Sequence, residues 1–151
     1  MRILGIDYGD SRCGFAITDA LNITVQGLET LKSNGSDKMI LKKIDEYLNQ
    51  YEIDTIIVGM PFMLNGDKSD RAKKTESFIH KLKCKYNKIK IDWIDERLTT
   101  VAAHKTMNFL DINKHKKREI VDTISAVYIL EIYTNKLKNS WFNCYYSVLL
   151  G

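Results

Sequence analysis

The chain has 151 residues, of which 44% are hydrophobic, 28% charged and 10% aromatic, with 8 glycines and 1 proline. This is the composition of one globular domain, able to bury roughly 70% of the surface its unfolded chain exposes, and it excludes collagen-like, low-complexity and wholly disordered classes. The net charge of +4 is small but uneven: residues 67–90 hold nine Lys/Arg against three Asp/Glu, and residues 113–118 hold four against none, leaving an acidic remainder.

Two basic segments around an acidic remainder suit an anionic polymer approaching carboxylates. The opening MRILGIDYGD holds only a short apolar run, interrupted by Asp7, and no stretch has membrane-spanning length. Cys13, Cys84 and Cys144 are odd in number and lack metal-binding spacing, so they read as reduced thiols of a cytoplasmic protein.

In chain order, Arg2–Asp7 and Cys13–Thr18 are apolar runs separated by the turn sequence YGDSR, which predicts a hairpin, and Ile23–Leu31 continues as a third strand. Ile40, Ile44, Tyr47, Leu48 and Tyr51 recur at helical spacing behind Ser36, a candidate N-cap. Thr55–Gly59 is a β-branched run halted by Pro61, so a buried strand ends there and a loop, FMLNGD, follows. Ala72, Thr75, Ile79, Leu82 and Tyr86 mark one face of a helix from about Ser69, whose other face carries Lys73, Lys74, Lys81 and Lys85.

A strand over Ile89–Ile94 follows, with Trp93 expected to pack in the core. Val101–Phe109 is expected to be helical, LDINKHKKRE a loop or frayed helix start, and Ile120–Lys138 a long buried helix. Three strands followed by alternating helix and strand predict an α/β domain over residues 1–138: a mixed sheet with helices on both faces and the first strand central. The apolar tail at 139–151 stands apart, and if exposed it favours a homo-oligomer.

Asp7 interrupts an apolar strand at its C-terminal end, where open α/β sheets tend to place ligands, although a turn aspartate accounts for it equally well. Glu96, just past the last predicted strand, also reads as a helix-entry acid. Asp122 lies on an apolar helix face with Ser125, Ala126 and Ile129, where a charge is rarely left unpaired. A mixed sheet can bring three such acids to one edge. Their repulsion would be relieved by a divalent cation, Mg²⁺ or Mn²⁺ for an all-oxygen ligand set, and two such ions can drive phosphodiester hydrolysis. His80, His104 and His115 have no paired ligand spacing and read as surface or cap residues.

ILGIDYGDSRCGFAITD, with Asp7, Gly9, Arg12, Gly14, Ala16 and Asp19 in register, resembles the opening of the YqgF family of Holliday junction resolvases, also described as pre-16S rRNA nucleases. VGMPFMLNGDKS at 58–69, IDERLTT at 94–100 and KKREIVDTISAVYIL at 116–130 resemble its later motifs in the same order. The resemblance implies an RNase H-like fold with a five-stranded sheet, and Asp7, Glu96 and Asp122 as the catalytic, metal-binding acids. It also implies that Arg12 and Arg97 contact phosphate or organise the site. Gly59, Met60, Pro61, Asn65 and Gly66 would form a loop lining it, and Lys116, Lys117 and Arg118 a basic substrate-binding segment, with Lys73 and Lys74 adding to the basic surface. Cys13 and Thr18 depart mildly from the family pattern.

The expected function is a metal-dependent endonuclease on structured nucleic acid, precursor rRNA or branched DNA, without membrane attachment. Its rivals are a Holliday junction resolvase, a non-catalytic ribosome assembly factor, and an ATPase of the actin and sugar-kinase type, which the single-domain length disfavours.

Overall fold

The computed structural model describes residues 1–62, 69–95 and 114–150, with side chains left undescribed at 114–121, 141–143 and 145–146. Strands β1 (Arg2–Tyr8), β2 (Arg12–Thr18), β3 (Val25–Lys32), β4 (Ile53–Met60) and β5 (Lys90–Asp95) form one sheet in the order β3-β2-β1-β4-β5. β1 is therefore central, antiparallel to β2 and parallel to β4, which is parallel to β5. Helix α1 (Asp37–Gln50) connects β3 to β4, α2 (Asp70–Lys85) lies between β4 and β5, and α3 (Lys114–Leu150) closes the described chain.

The hairpin, both early helices and the fourth and fifth strands match the sequence expectation. Ser36 caps α1 by accepting from Met39 N–H, and Ser69 caps α2 by accepting from Ala72 N–H. The third strand begins at Val25 rather than Ile23, because Asp19 accepts from the backbone N–H of Ile23 and Thr24 and holds 19–24 as a turn, with Asn22 at φ 56°. The expected helix at Val101–Phe109 lies outside the described residues.

The last helix corrects the sequence reading at both ends. Residues 114–119, expected as a loop or frayed start, are helical, and the helix runs past Lys138 through the tail to Leu150. It is also not buried all round. Ser125, Ala126, Ile129, Leu130, Tyr133 and Thr134 form one buried stripe, whereas residues 135–140 and 147–150 are exposed.

Alternation along the strands sends side chains to two cores. Leu4, Ile6, Phe15, Ile17, Ile56 and Val58 face α1 and α2, while Ile3, Ala16, Ile57 and Ile94 face α3. On the α1/α2 side a tyrosine, an acid and a lysine recur together three times. Tyr8 donates to Asp37, which also binds Lys81; Tyr86 donates to Asp45, which also binds Lys85; Tyr47 donates to Glu29, which also binds Lys43. Two of these clusters tie α1 to α2 and one ties α1 to β3.

The Tyr47 hydroxyl is the largest influence holding the Glu29 carboxyl below its ordinary value of 4.5. Ionised Glu29 therefore stabilises the fold above that value, and the contribution is lost as pH falls through the lowered one. Tyr47→Phe should cost about 1 kcal/mol near neutral pH and less in acid, as urea unfolding at about pH 7 and about pH 3 would show.

Candidate active site

Asp7 stands one residue before the end of β1 and is 4% exposed. Its cross-strand partner is Gly14, so both residues project to the α3 side of the sheet. Gly14 has no side chain for a reason visible in the packing: a Cβ there would lie 2.1 Å from the Asp122 carbonyl oxygen. The backbone of α3 rests directly on the backbone of β2. A Cβ at Gly5 would likewise meet Leu130, and one at Gly27 would meet Thr123.

This close seating lays the backbone of Asp122 on Gly14, the cross-strand partner of Asp7. Thr123, the next residue, shares a 2.7 Å hydrogen bond with Thr30 of β3, which fixes the rotation of the helix. Arg12, at the start of β2, places Nε 3.4 Å from Asp122 Oδ2 in a partly exposed ion pair. Both Asp7 and Asp122 have one carboxylate oxygen sealed from solvent.

The carboxylates also act through the sheet. Burial pushes the Cys13 thiol well above its ordinary value, and the negative charges of Asp7, Asp122 and Asp37 push it further. Cys13 therefore stays a neutral thiol on the α1/α2 side. The donors facing α3 are carboxylate oxygens, a set suited to Mg²⁺ or Mn²⁺ and poorly suited to zinc. Among the described residues no group of three or more His, Cys, Asp or Glu is placed to hold a metal ion. Glu96, the third expected acid, lies outside them, as do Arg97 and Asn65.

α2 reaches the same end of β1 from the opposite side. Tyr8 stacks on Phe78 with ring centroids 4.4 Å apart, and its hydroxyl is raised far above its ordinary value by burial and by the bond to Asp37. Arg71 donates to the Tyr8 carbonyl at 3.5 Å, and Lys74 pairs with Asp10 in the β1–β2 turn at 3.3 Å. Arg71 is a residue the sequence reading missed, and its only sequence signal is its place in the first turn of a helix entered from a strand end. Lys73 and Lys74 are exposed as expected. Lys116, Lys117 and Arg118 belong to the first turns of α3, and their side chains are not described. Trp93 corrects the expectation of a core residue: it is 44% exposed and meets Phe62 edge to face at 5.5 Å.

A family model described as RuvX, Holliday junction resolvase, matches residues 1–136. The chain belongs to this family. Among RuvX-like relatives, a protein of Ruminiclostridium cellulolyticum named "Putative pre-16S rRNA nuclease" is 50% identical over 139 residues, covering 91% of this chain and 96% of its own. One of the same name from Acetivibrio thermocellus is 47% identical over 133 residues, covering 88% and 94%. The structure of T. thermophilus RuvC in complex with a Holliday junction substrate superposes with a TM-score of 0.54 at 12% identity, covering 91% of this chain and 96% of that one. The fold of this RuvX family member is thus RNase H-like.

The Gly14 contact leaves no space for a methyl group. Gly14→Ala should lift α3 from β2 and lower stability by about 1–3 kcal/mol, with loss of Asp122 placement, measurable by thermal unfolding.

Proposed function

We propose that this protein is a nuclease that hydrolyses phosphodiester bonds in structured RNA, with precursor 16S rRNA as the substrate, and that Asp7 and Asp122 hold the divalent cations the reaction needs. The observation that supports this most directly is the seating of Asp122 against Gly14, the cross-strand partner of Asp7. It lays the backbone of Asp122 on the strand residue across from Asp7, and each of the two carboxylates has an oxygen sealed from solvent. When bound, one or two such cations neutralise phosphate charge and activate water near neutral pH.

The chain's own residues do the positioning. Arg12 orients the Asp122 carboxylate, and Arg71 steadies the end of β1 through the Tyr8 carbonyl. Lys73 and Lys74 offer positive charge to the phosphate backbone beside the β1–β2 turn, which suits the shape-based reading of A-form RNA. The names of the relatives favour RNA, and a four-way DNA junction is the competing substrate.

The test is single-turnover cleavage of precursor 16S rRNA and of a four-way DNA junction, with Mg²⁺, Mn²⁺ or EDTA. Asp7→Asn and Asp122→Asn should each slow cleavage by about a hundred-fold or more, since loss of even an outer partner of a metal ligand costs up to about that factor. Cleavage of the DNA junction alone would transfer the function to resolution, and binding without cutting by wild type would leave an assembly factor. Because metal ligands must be deprotonated, the rate should fall as pH drops into the carboxylate range. Substrate affinity should also fall steeply with salt, and a flat dependence would remove the α2 lysines from the interface.

A further inference from the structure

The α2 side of the sheet carries a concave feature toward the C-terminal ends of the parallel strands β4 and β5. Met60 and Phe62 from the end of β4, Trp93 from β5, and Glu76, Ile79, His80 and Lys83 from α2 enclose a cleft of about 270 Å³. We propose that this cleft binds one unpaired nucleobase of the nucleic-acid substrate, stacked on Trp93. The proposal rests on the nucleic-acid reading above and adds to it a site for a flipped or single-stranded base.

Four observations converge on a base rather than on a peptide or a lipid. The cleft is smaller than the roughly 300–1,000 Å³ of pockets that enclose drug-sized ligands, so it suits a single planar ring system. Its floor is apolar, with Met60 and Ile79 buried. Trp93 is the one large aromatic side chain exposed among those described, and Phe62 supports it edge to face, with the planes inclined by 64°. That support fixes the indole orientation and leaves ring surface open to stacking, which is sequence-tolerant because every base has a π-face.

The polar rim fits the edge of a base. Glu76, His80 and Lys83 lie on one helical stripe, spaced i, i+4 and i+7, and supply hydrogen-bond acceptors and donors around the apolar floor. The same stripe continues one turn back to Lys73, so positive charge for a phosphate precedes the cleft along α2. Trp93 is level with Val58 of β4, which is level with Ile6 of β1, so it lies two strands away from the residue before Asp7 and on the opposite, α1/α2 face of the sheet. A strand whose phosphate backbone follows Lys73 and also reaches Asp7 would cross from one face of the sheet to the other over the C-terminal ends of β4 and β1.

Trp93 can report its own occupancy. In a full-length Trp141→Phe background it is the sole tryptophan, since the chain has two. Titration with a short oligoadenylate, and with an abasic oligomer of the same length and charge, should quench Trp93 fluorescence with the first and leave it unchanged with the second. Trp93→Ala should weaken binding of the intact oligomer by about ten-fold or more, down to the affinity of the abasic one. Trp93→Phe, which keeps a stacking face, should recover most of the loss.

Equal affinity of wild type for intact and abasic oligomers, or quenching by neither while both bind, would overturn the base site and leave the nuclease reading standing; the cleft would then be a protein contact. Failure of wild type to bind any oligonucleotide or precursor rRNA would overturn both readings together.

Discussion

The contact between the Asp122 carbonyl and the bare backbone of Gly14 is the constraint on which the site depends. A helix normally packs on a sheet through two layers of side chains. Here both layers are missing at one point, and main chain meets main chain. The small residues around it follow from that approach: Gly5 beneath Leu130, Gly27 beneath Thr123, and Ala16 in the same core as Ala126. Seating the helix this low lays Asp122 on the residue of β2 that pairs with Asp7 near the end of β1. Arg12 offsets part of the Asp122 charge through their partly exposed ion pair.

The opposite side of the sheet is built by different means. There the helices stand on full-sized side chains, with Phe15, Phe78, Ile40, Ile44 and Leu82 wholly buried, and the three tyrosine–acid–lysine clusters bind α1 to its neighbours at the rim of that core. Each tyrosine places its ring in the core and its hydroxyl on a carboxylate at the boundary, and each lysine balances the charge. One cluster involves Tyr8, the residue after Asp7. Its ring stacks on Phe78 of α2, and its carbonyl receives Arg71 of the same helix. The end of β1 is therefore gripped on the α2 side while its next residue faces α3, a division that alternation along a strand makes automatic.

Much of this was legible in the residues. Apolar runs and their punctuation located all five strands, Ser36 and Ser69 announced two helix starts, and the interrupting acid Asp7 lies near the C-terminal end of β1 as read. The misreadings have specific physical causes. Residues 114–119 have no apolar periodicity, yet they extend a helix already anchored downstream, where propagation is easier than nucleation. Trp93 has the composition of a core residue, but β5 is the outermost strand on its side, and a cleft lined by α2 and the end of β4 opens beside it. Arg71 carried no motif at all, because its role arises only when α2 crosses β1.

The glycines show why spacing alone could not assemble the site. Gly5 and Gly27 are unremarkable in sequence, Gly14 stands out only within the family motif, and each is separated from its helical neighbour by about a hundred residues of chain. Only pairing in register places Gly14 across from Asp7, and only the register of the α3 stripe places Asp122 above Gly14. The register of β1 with β2 follows from alternation, because a slip of one residue would turn Asp7 into the α1/α2 core and Tyr8 out of it. In the observed register Tyr8 finds both Phe78 and Asp37 in that core. The hydrophobic pattern that specifies the fold is thus the same pattern that aims Asp7 at α3, and the site follows from the packing without a separate instruction in the sequence.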